Sequence, residues 1–374
     1  MTDLRERPDP SGRYVRYSQS VEEIGADERE TFEKIADAFR KQGEMTTGQE
    51  GGHALRVSHA KSTGLLTGEL VVLGDMPVEL AQGLFAKPGR YEVLVRLAQG
   101  PGEMLDDSIS THRGMAIKVL GVDGEHISEA AERGTQDFVL ENGKAFINSD
   151  ASRFLLNLRA GVSNAPMLPE GVKKAVSKIS RATNAAVQAL GGEVKTLDFF
   201  GHKPLHPLAE GYFSQVPIRY GDHVAKLGVF PSDAVHAALD GVTVDASDDP
   251  DAFRSAVVDW FSRSGAEFDI AVQLCTDLDT MPVEDASVEW PEEDSPYRVV
   301  ARLVLPPQAA HSRARADFFD ERLSFRPANS LAAHRPLGQI MRARLFVYER
   351  LAAFRMRANG VQRAAPISAA EVPD

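Results

Sequence analysis

The sequence predicts an α+β fold, an eight-stranded antiparallel β-barrel with inserted and flanking helices. Short runs of alternating apolar residues recur in two groups of four, separated by turns rich in Gly, Pro and Asp. Helical stretches divide the two groups, and a helix stands at each end of the strand-bearing region. Closing so many short strands on themselves removes exposed edges, which favours a barrel over an open sheet.

In chain order, residues 1–45 read as an arm followed by an amphipathic helix. The helix covers 26–42, with Phe32, Ile35, Ala36 and Phe39 on its apolar side and Gly43 closing it. Residues 46–358 form the barrel domain and its last helix, and 359–374 a tail. The first strands are expected at 63–73, 91–98, 114–120 and 136–140, with turns at Gly74-Asp75, Lys87-Pro88-Gly89 and Val122-Asp123-Gly124. Helices follow over 150–158 and 170–190, the second ending at Gly191-Gly192. Strands resume at 212–218, 223–230, 267–276 and 297–305, with a helix over 250–264 between them. The acidic stretch 284–294 reads as a solvated surface loop.

Composition narrows the function classes. A chain of 374 residues with 43% hydrophobic and 26% charged residues has the make-up of a soluble globular protein. A net charge of −12 argues against nucleic acid or an anionic membrane as partner. The single cysteine, Cys275, excludes an internal disulfide and a thiolate-rich metal site, and reads as a small buried residue. The N-terminal stretch has no apolar signal-peptide core and no apolar run reaches membrane-spanning length, so a cytoplasmic location is expected.

The most informative stretch is 342–355, free of Gly and Pro until Gly360 and rich in helix formers. Arg344 precedes Tyr348 by four residues and Arg355 follows it by seven, which puts all three on one helix face. Two guanidiniums beside a phenol favour the phenolate, a hard anionic ligand suited to ferric iron. A core tyrosine with two arginines solvated at the rim has the same spacing. Four more groups carry reactive or charged side chains: Arg56-Val57-Ser58-His59-Ala60-Lys61; Val95-Arg96-Leu97, whose arginine needs an anionic partner if that strand face is buried; Ser110-Thr111-His112-Arg113-Gly114; and Asp137 to Asn142, with Phe154 beyond.

Together these resemble the haem catalase family, in its small bacterial catalase-like (catalase-related peroxidase) branch. The stretch 56–61 is similar to the family's distal-histidine motif, 95–97 and 113–118 to two strand motifs, and 344–348 with Arg355 to its proximal RxxxY motif. Segments 273–277, 281–285 and 325–338 add to the likeness, which runs from about residue 45 to 358. The resemblance implies a catalase-type barrel binding haem b, with Tyr348 as the iron ligand and Arg344 beside it. It further implies Arg56, Arg96 and Arg355 on the haem propionates, Phe154 stacked near the haem, and His59 as distal acid–base group. Glu141 or Asn142 would be the residue that contacts peroxide. The function implied is decomposition of hydrogen peroxide or organic hydroperoxides through a ferryl intermediate. A small-molecule electron donor and a homo-oligomer are the further partners the family allows.

Three departures bear on that function. Glu141 stands at the position of the family's peroxide-binding asparagine, with Asn142 one place later, and a one-residue shift in a strand reverses the face. Ala98 replaces the serine behind the distal histidine. The chain is shorter than full-length catalases, which implies a more open haem approach suited to organic hydroperoxides. The alternatives are a fatty-acid hydroperoxide isomerase or dehydratase on the same fold, and a non-catalytic haem-binding protein. His202 and His206 have HxxxH spacing, but Pro204 and Pro207 make a helix there unfavourable. With His53, His112, His126, His223, His236, His311 and His334 they read as structural or surface residues.

Overall fold

The computed structural model describes residues 12–109, 111–128, 131, 132, 134–160, 171 and 203–374. The helix expected over 170–190 lies, apart from residue 171, outside the described residues. Nine strands form one antiparallel sheet: β1 (Ser62–Val72), β2 (Gly89–Gln99), β3 (Arg113–Leu120), β4 (Thr135–Glu141), β5 (Tyr212–Phe213), β6 (Ile218–Tyr220), β7 (His223–Pro231), β8 (Ala266–Leu274) and β9 (Arg298–Leu305). The two-residue β5 pairs with both β4 and β7, which closes eight strands into a barrel and leaves β6 attached to β7 outside the ring.

Consecutive residues from Val93 to Gln99 of β2 are buried, so both faces of that strand are covered. The main apolar cluster accordingly runs from barrel residues such as Val95, Ile117 and Leu227 to residues of three helices: Phe32 and Ile35 of α1 (Glu28–Gln49), Leu155 of α2 (Ala151–Ala160) and Val347 of the long C-terminal helix. Between β7 and β8 lie α3 (Asp233–Leu239) and α4 (Ala252–Phe261). After β9 comes α5 (Arg313–Ala316), continued by a π-helical turn over Asp317–Arg322, and then α6 (Gln339–Asn359). Gly360 ends α6 in the left-handed conformation at φ +65°, which glycine adopts without a Cβ clash.

α6 is fixed at its start by Arg342, which donates hydrogen bonds to Glu22, Glu28 and Glu284. One guanidinium thus joins the N-terminal segment, α1 and the loop before β9 to the helix that carries Tyr348. The surface loop expected at 284–294 does expose Glu289, Glu292, Glu293 and Asp294, but it is anchored at its start and at Trp290. Glu284 also accepts from the Gln339 amide, and Trp290 is buried with its indole N–H on the Pro282 carbonyl.

α1 runs past Gly43 to Gln49, beyond the predicted end at 42. Gly43 is an interior packing position, because an added Cβ would lie 3.1 Å from both Phe354 of α6 and Val57. The strand expected at 212–218 is split into β5 and β6 around Gln215, which takes φ +61°. α3 and the helical turns over 313–322 escaped the sequence reading. Both are short, so their periodicity is weak.

Candidate active site

His59 stands in a left-handed backbone conformation, φ +55°, which costs a non-glycine residue roughly 1 kcal/mol. Its neighbours hold it there. The amides of His59 and Ala60 donate to the carbonyls of Gly100 and Pro101 at 2.7 and 2.9 Å, so this segment is sewn to the end of β2. Arg96 adds a clamp, donating from Nη2 to the His59 carbonyl at 2.8 Å. The imidazole lies over Gly114, where a Cβ would come within 2.7 Å of its Cε1.

The partner of Gly114 across the β3–β4 ladder is Glu141, the last residue of β4. Register therefore delivers the Glu141 carboxylate to the His59 ring, with Oε1 3.2 Å from Nε2. Its other oxygen lies 3.5 Å from Nε2 of His112. Burial alone would raise the Glu141 carboxyl. The charge of His112, the hydrogen bond and charge of His59 and the charge of Arg344 outweigh burial and hold its pKa at about 2. An ionised carboxylate only accepts, so His59 Nε2 carries a proton toward it. Asn142 turns away: its Oδ1 accepts from the Arg113 amide at 2.9 Å and its Nδ2 donates to Glu210 at 3.3 Å.

On α6, Arg344 donates from Nη2 to the Tyr348 hydroxyl at 3.1 Å, the contact expected of residues one helical turn apart. The Arg344 charge also reaches Glu141, so the phenol–guanidinium pair of α6 and the imidazole–carboxylate pair of the barrel lie in one electrostatic field.

The other three arginines converge on the π-helical turn. Arg96 pairs through Nε with the Asp320 carboxylate at 2.7 Å, Arg355 donates to the Asp320 carbonyl at 2.6 Å, and Arg56 donates to the carbonyls of Phe319 and Leu323. Burial would raise the Asp320 carboxyl, but Arg96 and Arg56 hold it low. Burial, with mutual repulsion, lowers Arg56 and brings Arg355 to about 10. Arg56 Nε is buried with no hydrogen-bond partner among the described residues. Three guanidiniums share Asp320 and its neighbour Glu321, a small positive excess beside an unmet donor.

The structure therefore brings together His59 with Glu141, Arg344 with Tyr348, and Arg56 with Arg96 and Arg355. Phe154 of α2 packs against Phe39 and Phe146, at ring-centroid distances of 5.9 and 5.5 Å. Ala98 is buried opposite Gly114 in the β2–β3 ladder, and among the described residues His59 Nδ1 has no hydrogen-bond partner. Sequence reasoning misassigned His112, which it read as structural or surface, and missed Asp320. His112 stands two places before Gly114, close to the strand that carries Glu141, but a lone histidine ahead of a strand has no distinguishing pattern. Asp320 sits in an unpredicted turn. Its signal was indirect: Arg96 in an apolar strand required an anion.

A closed eight-stranded antiparallel barrel with flanking helices, and a tyrosine on its C-terminal helix, is the catalase-type fold. No protein-family model matches the sequence, and no curated protein does. Solved structures do match. A fungal catalase superposes with a TM-score of 0.59 at 16% identity, covering 87% of this chain and 64% of that one. Catalase A from Saccharomyces cerevisiae gives 0.59 at 15%, covering 87% and 66%, and a bacterial catalase gives 0.57 at 17%, covering 95% and 68%. At such identities the likeness defines the fold. The chain spans about two thirds of the length of these catalases. No described helix is long and apolar enough to cross a membrane.

Proposed function

We propose that this chain is a haem-dependent enzyme of the catalase type that decomposes hydrogen peroxide or organic hydroperoxides. The observation that carries the reading is the Arg344–Tyr348 hydrogen bond on α6, in a catalase-type barrel whose His59–Glu141 pair feels the same guanidinium. Tyr348 would bind the iron of haem b. Arg56, Arg96 and Arg355 would take the propionates, for which their positive excess and the unpartnered Arg56 Nε are suited. Phe154 would support the pocket from the aromatic group it shares with Phe39 and Phe146. Bound haem would supply the redox chemistry of O–O cleavage.

The chain's own residues handle protons and charge. His59 moves a proton from one peroxide oxygen to the leaving one, taking it up and giving it back as an imidazole can. Glu141 stabilises the imidazolium that exists in between. A carboxylate cannot donate a hydrogen bond to peroxide as an asparagine amide can. Glu141 therefore favours turnover with a small-molecule electron donor over dismutation of a second peroxide. Asn142, committed to Arg113 and Glu210, belongs to the supporting wall.

The test is the absorption spectrum of the haem-supplemented protein before and after hydrogen peroxide, with oxygen release recorded in parallel. A Soret band with a five-coordinate tyrosinate pattern, altered by peroxide and restored by an added electron donor, supports the reading. Recovery with oxygen release and no donor would place the chain with the dismutating catalases. The absence of any specific haem spectrum would overturn the proposal.

A further inference from the structure

His112 has no part in the chemistry above, yet it completes a group with His59 and Glu141. These are the one set of three His, Cys, Asp or Glu donors among the described residues whose ligating atoms all lie within 4.8 Å of one another. The geometry points to a binding site for a first-row transition-metal dication, held by His59, His112 and Glu141. The site does not depend on haem.

Spacing comes first. Donors about 2.1 Å from an ion in a tetrahedral or octahedral shell lie about 3.0–3.4 Å from each other. The Glu141 oxygens lie 3.2 Å from His59 Nε2 and 3.5 Å from His112 Nε2, close to that spacing, and all three donors lie within 4.8 Å of one another. The surroundings are shaped for both rings. A Cβ at Gly100 would fall 2.0 Å from His112 Nε2, and one at Gly114 2.7 Å from His59 Cε1. The strained backbone of His59 is a second sign that its ring is held where it is for a purpose other than stability.

Access and donor type narrow the ion. The three side chains are 17%, 22% and 25% exposed, so an ion can enter and water can complete its shell. Two imidazoles and a carboxylate suit Zn2+ or Fe2+, whereas Ca2+ and Mg2+ call for oxygen donors alone.

Two features make the site exchangeable rather than structural. Arg344 opposes a second positive charge near Glu141. His59 Nδ1 has no acceptor to strengthen the imidazole as a ligand. An ion on His59 Nε2 displaces the proton that Nε2 directs at Glu141, so metal binding replaces the His59–Glu141 hydrogen bond.

The experiment is equilibrium dialysis of the chelator-treated full chain against Zn2+, counting metal per chain by mass spectrometry and haem per chain by Soret absorbance. One Zn2+ equivalent is expected, removable by chelator with no change in far-ultraviolet circular dichroism. His112→Gln and Glu141→Gln should weaken it by about a hundredfold or more, because losing a direct ligand costs more than losing an outer-shell partner. His112→Gln should leave the haem count unchanged. A wild-type chain that binds no Zn2+, or variants that bind as much as wild type, would overturn the site. If the variants fail to fold, X-ray absorption of the wild-type zinc form decides: two imidazoles support the site, and a shell without imidazole removes it. Zinc without haem would sink the proposed function and leave the metal site standing, and haem without zinc would do the reverse.

Discussion

Glu141 Oε1 accepts from His59 Nε2 across 3.2 Å, joining residues 82 positions apart in the chain. The contact follows from three local facts: His59 is turned over Gly114, Gly114 has no side chain, and Glu141 is the cross-strand partner of Gly114. Changing this pair should therefore change proton handling and leave the barrel intact.

His59→Ala should lower peroxide turnover by about 10²–10⁴-fold, the usual contribution of a positioned acid–base group, while haem still binds. Glu141→Asn restores an amide donor beside the imidazole and should raise oxygen release relative to donor oxidation. Steady-state assays of both reactions on matched haem contents check this. An unchanged ratio for Glu141→Asn would remove Glu141 from the peroxide site.

Tyr348→Phe keeps the ring and removes the oxygen that Arg344 addresses. It should abolish the tyrosinate charge-transfer band and most haem affinity. Arg344→Met should retain the band at lower energy and with weaker haem retention, since a phenolate without its hydrogen bond and neighbouring charge is a stronger electron donor. Spectra of the haem-titrated variants separate the two effects, and a Tyr348→Phe spectrum equal to wild type would end the ligand assignment.

Asp320→Asn leaves three buried guanidiniums without their principal carboxylate. Breaking a buried pair of this kind costs about 3–5 kcal/mol, so the melting temperature should fall by several degrees. If the arginines bind propionates, haem should recover part of the loss, a difference visible in melts with and without haem.

His334 supplies the pH prediction. It is buried among Phe85, Phe138 and Tyr220, and its Nε2 accepts from the Leu84 amide at 2.9 Å. Burial lowers its pKa from 6.5 to about 3. Between those values the unfolded chain binds the proton and the folded one does not, so stability rises with pH. The contribution is complete above 6.5 and is lost on acidification toward 3, with a limiting slope of about 1.4 kcal/mol per pH unit. His334→Gln keeps an acceptor for Leu84 and removes the titration. Its melting temperature should fall less than that of wild type between pH 7.5 and 5.

The sequence alone determined what local periodicity can encode. Alternation marked the barrel strands, turn residues separated them, and the spacing of Arg344, Tyr348 and Arg355 put three side chains on one face of a helix that runs to Gly360 as expected. It also implied that Arg96 needed an anion. Long-range packing set which anion Arg96 meets, since Asp320 is 224 positions away in a turn with no sequence signature. It likewise turned Glu141 toward His59 and Asn142 toward Glu210, and it brought His112 to the same carboxylate. Those outcomes depend on strand register and on rings seated over Gly100 and Gly114. Such contacts arise between distant segments, where the pattern within any one segment has nothing to say.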